Sequence, residues 1–380
     1  MRSFARLARV IGALLTVPLI VSTASAVEFV IVGPRAAGMG GAGVAVTHDA
    51  LGTYWNPAGM ALSKSWDIQV AGSAQIVDRL GLGKALKDIN DADLNDTSPA
   101  NIAKLQAIAN RINQSGATTS GLGAAGLYFK STFGSHVFGF NISDVATGGG
   151  FMASPVTALP SGGSVTVTGQ VAVRALEARQ AAFSYAYGFG DGKLAFGATA
   201  KIMQGAAYAN LVNVRGAESG FETPNDLGKA TISTAVGFDL GLAAKPVDWL
   251  RLGIVAKDIN QPTFNAPGGE VKLLPQIRAG AALNPYESLT LTVDADLTSN
   301  KALIPNVKSR LISAGAEQLL FGDVLALRVG AFKNVEDANS IVTPTAGIGV
   351  KIFALRIDVG GGYDFREKGA LASGAVSFTW

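Results

Sequence analysis

Apolar and polar residues alternate with a period of two over much of the chain. In the segment 289–298, leucine, valine and alanine occupy one face, and threonine and aspartate occupy the other. The segment 355–366 alternates in the same way. A period of two is typical of β-strands whose two faces meet different surroundings. No run of 18 or more apolar residues follows residue 26, so the pattern predicts strands and no transmembrane helix.

Fourteen segments between residues 66 and 380 carry this alternation, and the connections between them alternate in length. Short turns such as 131–134 and 190–192 separate long connections such as 77–119 and 145–169. Outer-membrane barrels have short turns on the periplasmic side and long loops outside. The even count also returns both chain ends to the periplasmic side. We therefore predict an all-β fold, a transmembrane antiparallel β-barrel of about 14 strands over residues 66–380.

The first long connection contains a helical pattern. Ser98 can cap a helix whose first position is Pro99, where proline is favoured. Apolar residues then recur on one helical face, at Ile102, Leu105, Ile108 and Ile112. We expect a short helical insert at about 82–114, outside the cell, with its apolar stripe packed on the barrel rim. The alternative is that this helix is a lid or a contact site for a partner.

The first 26 residues have a different character. Three arginines within the first ten residues precede the apolar segment 10–21, and Ala24-Ser25-Ala26 follows. This arrangement is typical of a cleaved secretory signal peptide, predicted at residues 1–26. The chain has 31 Lys and Arg against 28 Asp and Glu, so removing the three arginines leaves 28 of each. A neutral mature chain has no basic surface for nucleic acid, and 16% charged residues are typical of a membrane protein.

The last strand ends on an aromatic residue. The segment 372–380 alternates small or apolar residues with hydroxyl residues and finishes at Trp380. It resembles the C-terminal signal that the bacterial barrel-assembly machinery reads. We therefore expect that machinery and outer-membrane lipid as partners, and the bacterial outer membrane as the location. The pattern leaves the oligomeric state open.

The segment that precedes the first strand carries two motifs. Residues 33–46 are rich in glycine, and Asn56, Pro57, Ala58 and Gly59 follow shortly afterwards. This stretch resembles the N-terminal region of the outer-membrane long-chain fatty acid transporter superfamily, of the FadL, OMPP1 and TodX type. The resemblance implies a plug at residues 27–65 inside a fourteen-stranded barrel. It also implies passive uptake of a hydrophobic or amphipathic small molecule, captured by external loops.

Later stretches point to one branch of that superfamily. Residues 183–186, 197–205, 275–280 and 294–298 resemble the TraF-like outer-membrane proteins of conjugal transfer. This resemblance implies an alternative function, a structural or assembly component of a conjugal transfer or protein secretion system.

Motifs for catalysis are weak. The chain has no cysteine and only two histidines, His48 and His136, so a zinc site of the usual ligands is not expected. The segment 38–43 matches G-x-G-x-x-G, but no strand-to-helix unit surrounds it, and that context is what binds a dinucleotide. No nucleophile elbow is present. We predict that the protein is not an enzyme and uses no cofactor and no metal.

Charged residues on the polar faces of the strands are candidates for the lumen. A Lys or Arg that faces lipid at the bilayer midplane costs about 2–4 kcal/mol, so these residues are expected to point inward. The candidates are Arg251, Arg278, Asp294, Asp296, Arg328, Arg356 and Asp358. Both signs are interspersed, which favours ion pairs that hold the plug; the alternative is the polar wall of a gated passage.

The connection 145–169 is unusually apolar for an external loop. Its larger apolar residues are Phe151, Met152, Val156 and Leu159. Exposed apolar residues of this kind indicate either a capture site for a hydrophobic molecule or a protein interface.

Overall fold

The computed structural model describes residues 28–190, 192–215 and 227–380; the predicted signal peptide lies outside these ranges. In chain order the described strands are β1 (Asp67–Arg79), β2 (Thr118–Phe133), β3 (His136–Ser161), β4 (Ser164–Phe189), β5 (Leu194–Asn213), β6 (Thr231–Val247), β7 (Leu250–Lys257), β8 (Thr263–Ala266), β9 (Gly269–Lys272), β10 (Gln276–Tyr286), β11 (Leu289–Asp296), β12 (Asn300–Lys301), β13 (Lys308–Ser309), β14 (Leu311–Leu320), β15 (Leu325–Asn334), β16 (Thr343–Ile352), β17 (Leu355–Asp364) and β18 (Gly369–Thr379). Two pairs, β8–β9 and β12–β13, form small separate hairpins. The other fourteen strands close into one barrel, so the predicted fold class is confirmed.

The barrel closes between its first and last strands. Strand β1 pairs antiparallel with β18, and Ile68 lies opposite Phe378. Next to this closure, the ring of Trp66 lies 5.1 Å from that of Phe133 and 6.4 Å from that of Trp380. Aromatic residues at the ends of an apolar outer band are typical of membrane barrels, where they sit at the lipid–water interface.

Strands β3 and β4 differ from the sequence expectation. Residues 145–169 are not a loop, because β3 and β4 each continue for 26 residues. They meet at a turn in which Gly162 and Gly163 have φ of +60° and +86°, values that favour glycine. The register between the strands shifts after Met152 and again after Ser154. Each shift interrupts the period of two. The alternation of apolar and polar residues is therefore irregular here, which is why the sequence indicated a loop.

The lumen is filled by the N-terminal segment, which forms α1 (Pro34–Gly38), α2 (Gly52–Trp55) and the 3₁₀ helix Pro57–Leu62. Its apolar side chains form one buried cluster with inward residues of the wall; Phe29 and Trp55 from the plug join Ala71, Tyr128 and Val255 from the strands. The main core of the molecule therefore lies inside the barrel, between plug and wall.

A helical insert lies between β1 and β2, with α3 (Leu82–Asn90) and α4 (Pro99–Ile112). Ser98 caps α4 by accepting a hydrogen bond from the Asn101 amide (3.3 Å). The apolar stripe of α4 packs, together with α3, on the extensions of β3 and β4 beyond the barrel. Among the described residues, no helix has the length and apolarity needed to cross a bilayer.

Candidate functional site: the interface between plug and barrel wall

Glycines on the inner face of the wall give the plug room to approach. A side chain at Gly253 would place its β-carbon 2.8 Å from the Val44 carbonyl oxygen. A β-carbon at Gly315 would lie 2.5 Å from that of Met39, and one at Gly330 would collide with the plug backbone at Gly40. These distances are shorter than van der Waals contact. The plug can pack this closely against the wall only because these wall residues are glycines.

The Asn56-Pro57-Ala58 motif fixes the plug to neighbouring strands. The Asn56 side-chain oxygen accepts a hydrogen bond from the Ala58 amide (3.1 Å) and so caps the 3₁₀ helix that Pro57 opens. Its amide nitrogen donates to the Leu242 carbonyl on β6 (3.1 Å) and to the Val44 carbonyl in the plug (3.4 Å). One side chain therefore shapes the plug and attaches it to the wall.

A chain of four charges links α1 to three strands. The Arg35 guanidinium donates from Nη2 to Glu317 Oε1 on β14 (2.6 Å) and from Nη1 to the Val46 carbonyl (2.9 Å). Glu317 also accepts from Arg328 Nε on β15 (2.7 Å), and Arg328 Nη1 donates to Asp358 on β17 (2.6 Å). Glu317 is thus shared between the plug and the wall.

A second group of charges holds the glycine-rich turn of the plug. Arg278 is fully buried and donates from Nε to Asp296 (2.6 Å) and from Nη1 to the Gly41 carbonyl (3.3 Å). The neighbouring carboxylate of Asp294 accepts from the amides of Gly43 and Val44 (2.8 and 2.9 Å). The segment 38–43 is therefore a turn bound by the wall.

The remaining two candidates bind wall residues only. Arg251 donates to the Asn284 side chain (3.0 Å), and Arg356 donates to the Asp323 carbonyl (3.0 Å). The structure therefore places five of the seven predicted charges in the two plug-binding groups, and Arg356 lies at the edge of the first, 4.0 Å from Asp358.

Sequence reasoning missed two cations at this interface. Arg35 lies in the glycine-rich motif, where it had no assigned role. Lys130, on the polar face of β2, donates to the carbonyl oxygens of His48 (2.8 Å) and Ser63 (3.0 Å). The sequence could have indicated this role of Lys130, because a lysine on the lumen face of a strand needs a polar partner when it is buried.

Burial perturbs titratable groups of the plug. Burial lowers the pKa of His48 well below its usual value, and repulsion from Arg35, Arg251 and Lys130 lowers it further. Burial raises the pKa of Glu28. Both shifts favour the neutral form of a group enclosed by the barrel.

Two cavities flank the first described residues of the plug. The cavity on one side is lined by Glu28, Leu122 and Phe332, and the other by Glu28, Leu176 and Met203. Each has a volume of about 60 Å³, enough for a few water molecules. Charged side chains also line both, among them Arg79 and Glu367 in the first and Lys257 in the second. The two cavities therefore have a mixed polar and apolar lining, and the segment 28–32 separates them.

The four apolar residues predicted to form an external capture site do not share one surface. Phe151 packs beside the short hairpin β12–β13, and Met152 lies partly buried against the helical insert. Val156 is 2% exposed beneath that insert, whereas Leu159 is 58% exposed. No group of three His, Asp or Glu side chains is placed to hold a metal ion in the part of the chain that the structure describes.

Comparison with known proteins supports the fold. No curated protein sequence matches the chain. Similar solved structures include a TodX deltaS2S3 mutant monoaromatic hydrocarbon channel (12% identity, TM-score 0.58, covering 91% of this chain and 98% of that one). The toluene transporter TbuX of Ralstonia pickettii (16%, 0.53, 91% and 97%) and a FadL homologue of Pseudomonas aeruginosa (12%, 0.51, 94% and 99%) are also similar. At these identities the likeness establishes a shared fold.

A family match places the chain more narrowly. Residues 50–296 match the family described as F plasmid transfer operon, TraF, protein. The match begins within the plug, at α2, and continues through most of the barrel to the end of β11. The fold implied by the first resemblance is thus confirmed by the solved structures, and the second resemblance is confirmed by the family match. Because that match covers more than half of its length, the chain belongs to the TraF family.

Proposed function

We propose that this barrel resides in the bacterial outer membrane and passes hydrophobic or amphipathic small molecules inward by diffusion. The observation that carries this proposal is the pair of cavities on either side of the segment 28–32, in which apolar side chains such as Leu122 and Met203 lie beside charged ones. Each cavity alone is too small for a hydrocarbon ligand. Displacement of that segment would join them into one continuous space inside the wall, with apolar and charged parts that suit an amphipathic molecule.

The hydrogen bonds of the segment 28–32 support its movement relative to the wall. The carbonyl oxygens of Val30 and Val32 accept hydrogen bonds from Tyr54 and Trp55, which also belong to the plug. The segment 28–32 is therefore attached to the plug itself. The similar structures include channels whose names specify monoaromatic hydrocarbons or toluene, which supports apolar molecules as the class of cargo.

Uptake of labelled toluene and of a labelled long-chain fatty acid tests this proposal in cells with and without the protein. Leu122 lines one cavity, whereas Leu127 on the same strand is 43% exposed on the outer face. Leu122→Trp should fill the cavity and reduce uptake several-fold, and Leu127→Trp should leave it unchanged. Equal uptake with and without the protein, across a panel of apolar and amphipathic compounds, would contradict the proposal.

The family match favours a second candidate, a structural or assembly role in conjugal transfer. The apolar stripe of α4 is buried against the β3–β4 extension, so a partner would have to bind the exposed polar face. A photo-crosslinker at the exposed residue Ala107 should then trap one defined protein in mating cells. The same crosslinker at Asn339, which is exposed in the connection between β15 and β16, is the control. Unchanged conjugation frequency in a deletion strain would count against this role.

A further inference from the structure

The outer face of the barrel is mainly apolar, but three charged side chains interrupt it on β3 and β4. Asp144 and Arg179 lie directly opposite each other on these strands. Arg179 Nε lies 3.3 Å from Asp144 Oδ2, and Arg179 Nη2 lies 2.8 Å from Glu177 Oε1. The arginine side chain is 68% exposed and that of Asp144 is 41% exposed. We call these three residues the outer triad.

Neighbouring side chains show that the outer triad faces outward. Ala178 and Ala182, on either side of Arg179 along β4, are buried and point into the barrel. Ile142 on β3 and Ile202 on β5 flank the triad and are 57% and 63% exposed. The triad therefore lies on the same surface as the apolar band.

The triad also lies within the height of that band. Aromatic residues mark the turn end of β3 and β4, where the rings of Phe138 and Tyr185 lie 5.4 Å apart. Asp144 is six residues further along β3. At a rise of about 3.3 Å per residue and a tilt of about 40°, this places it about 15 Å above the aromatic residues. The apolar band of such barrels is about 25 Å tall, so the charges are at a depth where lipid solvates them poorly.

The surface around the triad lets another protein approach closely. On one side, Ala125 of β2 lies opposite Asp144, and Gly72 of β1 lies opposite Ala125. On the other side, Gln204 of β5 lies opposite Arg179. The row that crosses the triad therefore consists of small and polar residues, although Ile142 and Ile202 stand beside it. Small residues favour close packing of protein surfaces inside membranes.

We propose that the outer triad is a contact between two copies of this chain in the membrane. A two-fold axis along the membrane normal that passes between β3 and β4 places Asp144 of one copy opposite Arg179 of the other, and the reverse. The two pairs are equivalent by symmetry. Asp144 and Arg179 are direct cross-strand neighbours, so at a strand spacing of about 4.8 Å and a tilt of about 40° they differ in height by only about 3 Å, which the long arginine side chain spans. Each arginine would then bind its own Glu177 and the Asp144 of the second copy. The surface is self-complementary in charge, as a two-fold interface requires.

Disulfide crosslinking in native membranes tests the proposal, because the chain has no cysteine of its own. Ala181 is exposed on the outer face, two residues from Arg179, and would lie close to the axis. Val329 is the matched control, since it is 62% exposed on β15, outside the proposed contact. Oxidation should convert Ala181→Cys into a homodimer and leave Val329→Cys monomeric.

A variant with a neutral triad tests whether the charges cause the crosslinking or whether the two cysteines meet by random collision. Adding Asp144→Asn, Glu177→Gln and Arg179→Gln to Ala181→Cys should reduce the crosslinked fraction at least ten-fold. Heat-dependent migration in gel electrophoresis verifies that each variant is a folded barrel. Equal crosslinking of the two cysteine positions, undiminished crosslinking with the neutral triad, or capture of a different protein by Ala181→Cys would overturn the proposal.

Discussion

Glu317 provides the sharpest test of how the plug is held. It is 4% exposed and lies between the Arg35 guanidinium of the plug and the Arg328 guanidinium of β15. In Glu317→Met, Arg328 keeps its ion pair with Asp358, but Arg35 keeps only the Val46 carbonyl. Removal of one partner of a buried ion pair costs about 3–5 kcal/mol. We expect about 3 kcal/mol here, because Arg35 is 19% exposed and water can solvate it partly.

Hydrogen exchange of the plug amides, followed by mass spectrometry, measures this loss directly. A cost of about 3 kcal/mol corresponds to roughly a 100-fold faster exchange for amides protected by plug seating. The barrel amides should exchange as in the parent protein. The matched variant is Arg35→Met combined with Glu317→Met, which removes both charges together. Replacing a buried pair by apolar residues of similar volume is often close to neutral, so the double variant should recover most of the protection.

The double variant also decides whether the reasoning is correct. If it exchanges as fast as Glu317→Met alone, an unpaired charge is not the cause of the loss. The plug would then depend on the shape of the glutamate and arginine side chains. If neither variant changes exchange, the ion pairs contribute nothing to plug seating.

Three further perturbations test the interface and the insert. Gly330→Val should displace the plug and raise conductance in planar bilayers, whereas Gly72→Ala, whose β-carbon would meet its nearest atom only at 3.9 Å, should not. His48 has a folded pKa below its usual 6.5, so its contribution to stability is present above pH 6.5 and lost as the pH falls through that value. The opening free energy of the plug amides, obtained after correction for the intrinsic pH dependence of exchange, should therefore fall between pH 7 and 5, by at most about 2 kcal/mol. His48→Asn should reduce that dependence. Ile108→Ala should weaken the insert by about 2–5 kcal/mol and speed proteolysis of the insert, whereas the exposed Lys104→Ala should not.

The barrel could be predicted from the sequence because its strands obey one repeated physical rule. Each inward residue meets the plug and each outward residue meets lipid, so the period of two survives along most strands. The rule fails where β3 and β4 leave the barrel. There the register shifts after Met152 and Ser154, and Val156 is buried beneath the helical insert. Residues in that region no longer alternate between the same two environments.

The inward direction of the lumen charges could be predicted as well, but their pairing could not. The cost of exposing a cation to lipid predicts that Arg278 and Arg328 point inward. It does not predict that Arg35 meets Glu317, because the two are 282 residues apart in sequence and barrel closure brings them together. The same rule misses Arg179, which the structure places on the outer face. The period of two does not show whether a charged residue on the outer face contacts a partner protein.

The attachments of the plug are distributed unevenly, and this bears on how the lumen can open. Around Gly40 and Asn56, wall glycines and side-chain hydrogen bonds fix the plug backbone to the strands. The segment 28–32 contacts the wall through side chains such as Phe29, against which Arg278 lies 4.4 Å from the ring centroid. Side-chain packing can be exchanged for packing with an apolar ligand at little cost, whereas backbone hydrogen bonds inside a barrel have no replacement. Opening should therefore begin at residues 28–32, where the two cavities meet, and should break the side-chain hydrogen bonds from Tyr54 and Trp55 to the Val30 and Val32 carbonyl oxygens. The segments around Gly40 and Asn56 should stay in place.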